Sequence, residues 1–143
     1  MPEEIDVPEI IFDGLPMIQV DGVHYVKVAA DMTTEDVTNK MKKEALCGVT
    51  PEYKNLTEDN KFKTGSEITL AGETKYIVVV NGDVNCDGKV APLDVTLANR
   101  IRLNKVSSST IQKLAADFDL DGIVKAIDIT MINRYRLGKI KGI

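Results

Sequence analysis

Residues 83–105 read DVNCDGKVAPLDVTLANRIRLNK, and residues 117–139 read DFDLDGIVKAIDITMINRYRLGK. The offset is 34 residues, and eleven of the 23 aligned positions are identical. Several of the others exchange one apolar residue for another. Each copy opens on an acidic turn containing one glycine and continues as an apolar-periodic segment. A 34-residue period also suits a tetratricopeptide array. Two copies that open on acidic loops, where that array would have helices, do not fit it.

The acidic loops carry oxygen ligands at calcium spacing. Calcium prefers six to eight oxygens, and an EF-hand-type loop supplies them from positions 1, 3, 5, 7 (main chain), 9 (often through water) and 12. In the first copy these are Asp83, Asn85, Asp87, the Lys89 carbonyl and Asp94. In the second they are Asp117, Asp119, Asp121, the Ile123 carbonyl and Asp128. Position 6, which must turn sharply, is Gly88 or Gly122. Position 8 is Val90 or Val124, suited to packing loop against loop. Position 12 is Asp where Glu is common, so the backbone must bring the shorter carboxylate closer. Magnesium is disfavoured because it keeps several waters, and zinc because no His is near. Cys86 sits at position 4, which points away from the ion. The second loop has four aspartates to the first loop's three, and charge count makes it the tighter site. Two bound calcium ions are expected.

The segment after each loop is helical. Leu93, Leu97 and Ile101 repeat at i, i+4, i+8 with Ala98 beside them, and Ile127, Met131 and Tyr135 with Ile132 do the same. By periodicity these stripes are core. Ser109-Thr110-Ile111-Gln112 is a capping-box pattern for a short helix running to about Ala116. No entering helix precedes Asp83; an apolar run, Tyr76 to Val80, leads straight into the loop.

This pattern resembles a dockerin over residues 81–140, with two repeats, each a calcium loop with Asp at position 12 and one helix. The lead-in KYIVVVNGDVNCDGKV is similar to the strand that joins a preceding small X module to a dockerin. The resemblance implies a calcium-dependent, extracellular assembly module. Its partner would be a cohesin of a scaffoldin or cell-surface anchoring protein in a cellulosome-like complex that degrades polysaccharide. It also implies partner contacts at loop positions 10, 11, 17, 18 and 22. Those positions hold Pro92, Leu93, Asn99, Arg100 and Asn104 in the first copy. In the second they hold Ala126, Ile127, Asn133, Arg134 and Gly138. The Ser-Thr pair of one large specificity class is absent. Arg102 and Arg136 are alternative contacts. Ile101 against Tyr135 and Asn104 against Gly138 break the repeat symmetry, so a single binding orientation is expected.

Residues 5–80 read as a small α+β module. Met17–Val20 and Val23–Val28 flank Asp21-Gly22, a hairpin signal. Thr33-Thr34-Glu35-Asp36 opens a helix whose apolar face is Val37, Met41 and Ala45 and which Gly48 ends. Residues 50–66 are polar and loop-like. Glu67–Leu70 and Thr74–Val80 form a second hairpin around Ala71-Gly72-Glu73. The last strand, apolar on both faces, is central. The fold class is therefore α+β: a β-rich X module with one helix at 1–80, then an all-α dockerin with two EF-hand-like repeats at 81–143.

Composition narrows the alternatives. The 143 residues carry a net charge of −4 and a pI near 5.0. That argues against nucleic-acid binding through bulk charge. The lone histidine, His24, excludes any HExxH site, and no nucleophile–base set is visible, so no enzyme activity is expected. No stretch of about 18 apolar residues is present to enter a membrane. The start, Met1-Pro2-Glu3-Glu4, is acidic and lacks a signal region, so either the protein is intracellular or its signal lies upstream. Cys47 and Cys86 can be bridged or free. Asn55-Leu56-Thr57 is a glycosylation sequon, without consequence in a bacterial source. Seven of the 22 acidic residues lie in the two loops, so the acidic excess is focused. An EF-hand-type calcium sensor and a hydrolase fragment with a dockerin tail are the alternatives. The missing entering helices and Met-rich groove weigh against the first, and the missing catalytic set against the second.

Overall fold

The computed structural model describes residues 12, 14–30, 32–41, 50–70 and 74–141. The chain begins with strands β1 (Met17–Val20) and β2 (Val23–Val28), joined by Asp21-Gly22. Both turn residues have positive φ, 51° and 82°, as a two-residue hairpin turn of the favoured twist requires. Helix α1 (Thr34–Asn39) comes next, capped by Thr33 and Asp36 through reciprocal side-chain bonds. Strands β3 (Glu52–Lys54), β4 (Glu67–Leu70) and β5 (Thr74–Val80) complete one sheet of order β1-β2-β5-β4-β3. The β2–β5 pair is parallel and the others are antiparallel. Helices α2 (Pro92–Arg102), α3 (Thr110–Ala116) and α4 (Ala126–Arg136) make up the second half.

Strand β5 is central, as its two apolar faces predict, and each face has its own cover. Tyr76, Val78 and Val80 join Phe12, Val26, Val28, Val37, Phe62 and Ile68 in one core. Val79 and Tyr25, on the opposite face, join Val84, Ala98, Ile101, Ala115, Ala116, Phe118 and Ile132 in a second. The first core is built only from residues 12–80, whereas the second spans the sheet and the three helices. Polar bonds reinforce that junction. The Tyr135 hydroxyl accepts from the Ala30 N–H at 2.7 Å, and the Gly82 N–H donates to the Ala115 carbonyl at 3.0 Å.

Three expectations are corrected by the fold. Helix α1 ends at Asn39, and Met41 lies in a bridge with Phe12, not on a continuing helical face. Thr38 and Asn39 are weak helix formers, and the Thr38 hydroxyl bonds back to the Thr34 carbonyl. Ala45, Cys47, Gly48 and the turn at 71–73 lie outside the described residues. Residues 50–66 are not a plain loop. They contain β3, and Phe62, Thr64 and Ser66 are buried, with Tyr53 and Phe62 in edge contact at 5.6 Å. Two aromatic anchors outweigh the polar composition between them.

The third correction concerns the helical stripes. Asp94, Ala98 and Ile101 face inward on α2, whereas Leu93 is 61 % exposed. On α4 the inward residues include Asp128 and Ile132, whereas Ile127 is 49 % exposed. Each position-12 aspartate turns toward its loop, and that fixes the rotational setting of the helix. Its neighbour one residue earlier is then thrown about 100° round, to solvent. Only Leu93 and Ile127 leave the expected stripes; Ala98, Ile101 and Ile132 are core, and Leu97, Met131 and Tyr135 pack against it.

Candidate functional site

Each loop is a knot of carboxylates tied by its own amides. In loop one, Asp83 Oδ1 accepts from the Asp87 N–H at 3.0 Å and Oδ2 from the Gly88 N–H at 2.8 Å. In loop two, Asp117 accepts from Asp121 at 3.3 Å and Gly122 at 2.8 Å through the same oxygens. Asp87 Oδ1 and Asp121 Oδ1 accept from the amides two residues on, Lys89 and Ile123. The position-12 carboxylates close the loops. Asp94 Oδ1 accepts from Val84 and Asn85, and its Oδ2 from Ala91 at 2.8 Å. Asp128 does the same with Asp119 and Lys125. These bonds draw the short side chain into the loop.

The backbone repeats as closely as the side chains. Gly88 and Gly122 have φ of 89° and 92°, the left-handed region that glycine tolerates best. A Cβ on Gly88 would meet Thr57 Cγ2 at 2.7 Å, so loop one also lies tight against the first half of the chain. Cys86 and Leu120, at position 4 of each loop, both have positive φ. Asn104 and Gly138 end their helices alike. The Lys105 N–H reaches the Arg100 carbonyl at 2.9 Å, and the Lys139 N–H reaches that of Arg134 at 2.8 Å. Each is the left-handed residue of a Schellman-type cap, where Asn is the usual substitute for Gly.

Two clusters of possible metal ligands result: Asp83, Asp87 and Asp94, and Asp117, Asp119, Asp121 and Asp128. In each, carboxylate oxygens lie within 4.8 Å of one another. Asn85 Oδ1, at position 3 of loop one, is buried without a hydrogen-bond partner. An orphaned buried acceptor among carboxylates fits a hard cation held by oxygens. The expected ligands Lys89 and Ile123 are both exposed at position 7. Cys86, a free thiol, is half-buried at position 4, and burial pushes its thiol up.

Burial dominates the electrostatics. It pushes Asp83 and Asp117 up to about 6, although amide bonds pull each down, and it raises Asp94 and Asp128 as well. Asp121 is held down near 2 by its contact with Lys125. Lys27 in β2 has no counterpart among the residues that the sequence pattern points to. Its fully buried ammonium donates to Asn81 Oδ1 at 2.7 Å and to the Asp117 carbonyl at 2.6 Å. Burial lowers it to about 8, against the pull of Asp117, Asp128 and Asp119. Thr64, equally silent in the sequence, donates its N–H to Asp83 Oδ2 at 3.0 Å.

These shifts make the metal-free protein sensitive to pH. Asp83 and Asp117 keep protons up to about pH 6, whereas unfolded carboxylates release theirs near pH 4. Between those values the fold binds more protons than the unfolded chain, so stability falls as pH rises. Lys27 stays protonated across that window. In chelator, helical circular dichroism is expected to be greater at pH 5 than at pH 7, and an equal or smaller signal at pH 5 would contradict this. Bound calcium would reverse the order, because the ion would compete with those protons.

The proposed contact positions divide between surface and scaffold. Pro92, Leu93, Arg100, Asn104, Ala126, Ile127 and Arg134 are exposed. Asn99 and Asn133 are half-buried, and each Oδ1 accepts from an arginine three residues on, Arg102 Nε at 3.0 Å and Arg136 Nη2 at 2.7 Å. Leu93, Thr96, Arg100 and Leu103 form one exposed stripe, and Ile127, Thr130, Arg134 and Leu137 form its repeat. Ile101 is buried and Tyr135 is turned to Ala30 and Phe118, so that difference between the repeats lies inside. His24 lies half-buried in β2 with its ring 5.7 Å from that of Tyr76.

Comparison with known proteins gives a family match on these residues. Residues 81–137 match the family model described as Dockerin type I domain. A solved structure from Acetivibrio cellulolyticus, the third cohesin of ScaC in complex with the ScaB dockerin displaying a type I interaction, is similar at 34 % identity. The match covers 43 % of this chain and 88 % of that one, with a TM-score of 0.41. Comparison with curated proteins gives no match. The repeat, the two carboxylate loops and the family match fall on the same residues, and residues 81–137 of the chain are a dockerin module of the type I family.

Proposed function

We propose that this chain is a calcium-dependent assembly module that binds a cohesin and so attaches its parent protein to a cellulosome-like complex outside the cell. The observation that carries this reading is the family match over residues 81–137, which coincides with two repeat-related oxygen clusters, each leading into a helix. Residues 1–80 act as an X module and residues 81–143 as the dockerin. The two loop–helix units are EF-hand-like and hold one calcium each. The ligands are Asp83, Asn85, Asp87, the Lys89 carbonyl and Asp94, then Asp117, Asp119, Asp121, the Ile123 carbonyl and Asp128. Bound calcium neutralises the clustered carboxylates, and the chain supplies the shape. The chain has no catalytic role, and its place is extracellular or at the cell surface. Among the described residues no helix is long and apolar enough to cross a membrane.

The cohesin contact is the pair of exposed stripes, with Leu93 and Ile127 as apolar anchors and Arg100 and Arg134 as charged ones. Arginine is enriched among residues that dominate interface energies. Asn99 and Asn133 position those stripes through Arg102 and Arg136. The two stripes match across the repeat, with the Ile101/Tyr135 difference on the other side of the helices. That match favours two binding orientations over the single one that the sequence differences suggest. A pull-down against a panel of cohesins, with calcium and with chelator, tests the partner. Capture of a cohesin only with calcium is the expected result, and no capture under either condition would count against the reading.

A further inference from the structure

Each loop is gripped by the first half of the chain at its first residue, but by different chemistry. Loop one meets a neutral donor, the Thr64 N–H on Asp83 Oδ2. Loop two meets a buried ammonium, Lys27, whose Nζ lies 2.6 Å from the Asp117 carbonyl oxygen. Asn81 holds that ammonium from the other side at 2.7 Å and itself donates to the Phe118 carbonyl at 3.4 Å. The charge is therefore fixed next to the loop by two acceptors and is shielded from water, where salt would otherwise screen it. Lys125 adds a second, exposed ammonium on Asp121. Loop two therefore carries its four aspartates with two ammonium groups in direct contact, Lys27 on the Asp117 carbonyl and Lys125 on Asp121.

We infer that Lys27, from the N-terminal sheet, sets the calcium affinity of the second dockerin loop, offsetting its fourth aspartate and making it the weaker site. This inference rests on the calcium reading of the loops and reverses the order that ligand count alone suggests. The physical basis is Coulomb repulsion between a fixed ammonium and a divalent cation in a partly desolvated setting. The same charge relieves repulsion among Asp117, Asp119 and Asp128 before metal arrives. Lys27 thus opposes loading of the second loop wherever that loop is formed. It is a positioning residue, not a ligand.

Calcium titration of the full chain by NMR tests this. The Gly88 amide donates to Asp83 and the Gly122 amide to Asp117, so each resonance reports its own loop. In the unaltered chain Gly88 is expected to saturate before Gly122. In Lys27→Gln, which keeps a donor but removes the charge, the Gly122 midpoint should tighten on the order of tenfold. The Gly88 midpoint should move less than about twofold, because additivity holds for separated sites. A tightened Gly122 midpoint beside an unmoved Gly88 midpoint is a split that a merely structural role would not produce. An unchanged or weakened Gly122 midpoint in Lys27→Gln would overturn the inference while leaving the calcium reading intact. If that variant does not fold, Gly122 saturating first in the unaltered chain overturns it equally. Failure of both glycines to respond to calcium would sink the calcium reading and this inference with it.

Discussion

In excess chelator, helices α2, α3 and α4 are expected to melt while the sheet persists. The loop carboxylates are the reason. Asp83, Asp94 and Asp128 are fully buried, and the clustered oxygens lie within 4.8 Å of one another. Without a cation, that arrangement holds buried like charges, which either repel or take up protons. The helices have 11, 7 and 11 residues, too short to survive alone in water. Their inner faces join the second core, which depends on the loops to set the helix rotation through Asp94 and Asp128. The first core draws on residues 12–80 alone and needs no metal. Helical circular dichroism should therefore fall by roughly four-fifths, since 29 of the 35 helical residues described lie in these three helices. Amides of Val26 and Val78 should stay protected from hydrogen exchange while those of Ala98 and Ile132 exchange. Full helicity in chelator would refute the view that metal binding here is folding energy.

The loops were legible in the sequence because their chemistry is local. Ligand spacing, the glycine at position 6 and the carboxylate at position 12 all lie within twelve residues, and the second copy doubles the signal. The sheet was nearly as legible, since Asp21-Gly22 and the two-faced apolar strand at 74–80 obey short-range rules. What escaped was either a conflict between rules or a distant contact. Periodicity set Leu93 and Ile127 inside, but the ligand role of the next residue overrides it. Strand β3 and buried Phe62 were hidden by polar neighbours. Lys27 gave no signal at all. Its partners Asn81 and Asp117 lie 54 and 90 residues away, and only the folded sheet brings them together. Asn104 and Gly138 look like a difference at the surface. In the fold they are two residues that serve one left-handed cap.

The shared cap bears on how the module engages its partner, and it leads to the second large effect. Replacing both Leu93 and Arg100 by Ala should weaken cohesin binding only about twofold, as should replacing Ile127 and Arg134. Under the dual-orientation proposal, two equivalent orientations would contribute equally to the bound population, and removing one would halve it. Removing all four side chains should cost on the order of a hundredfold or more, since exposed apolar and arginine anchors commonly carry most of an interface's energy. The stripes support this equality. Leu93 and Ile127 are both well exposed, Thr96 matches Thr130, Arg100 matches Arg134 and Leu103 matches Leu137. Along the stripes the repeats agree closely, and the Ile101/Tyr135 difference is turned toward the sheet side of the helices. Pro92 and Ala126 differ at the first turn, but both are small and lack a polar side chain. Titration calorimetry with a captured cohesin separates the outcomes. A hundredfold loss from one pair alone, with the other pair silent, would establish a single orientation and locate the asymmetry at the surface after all.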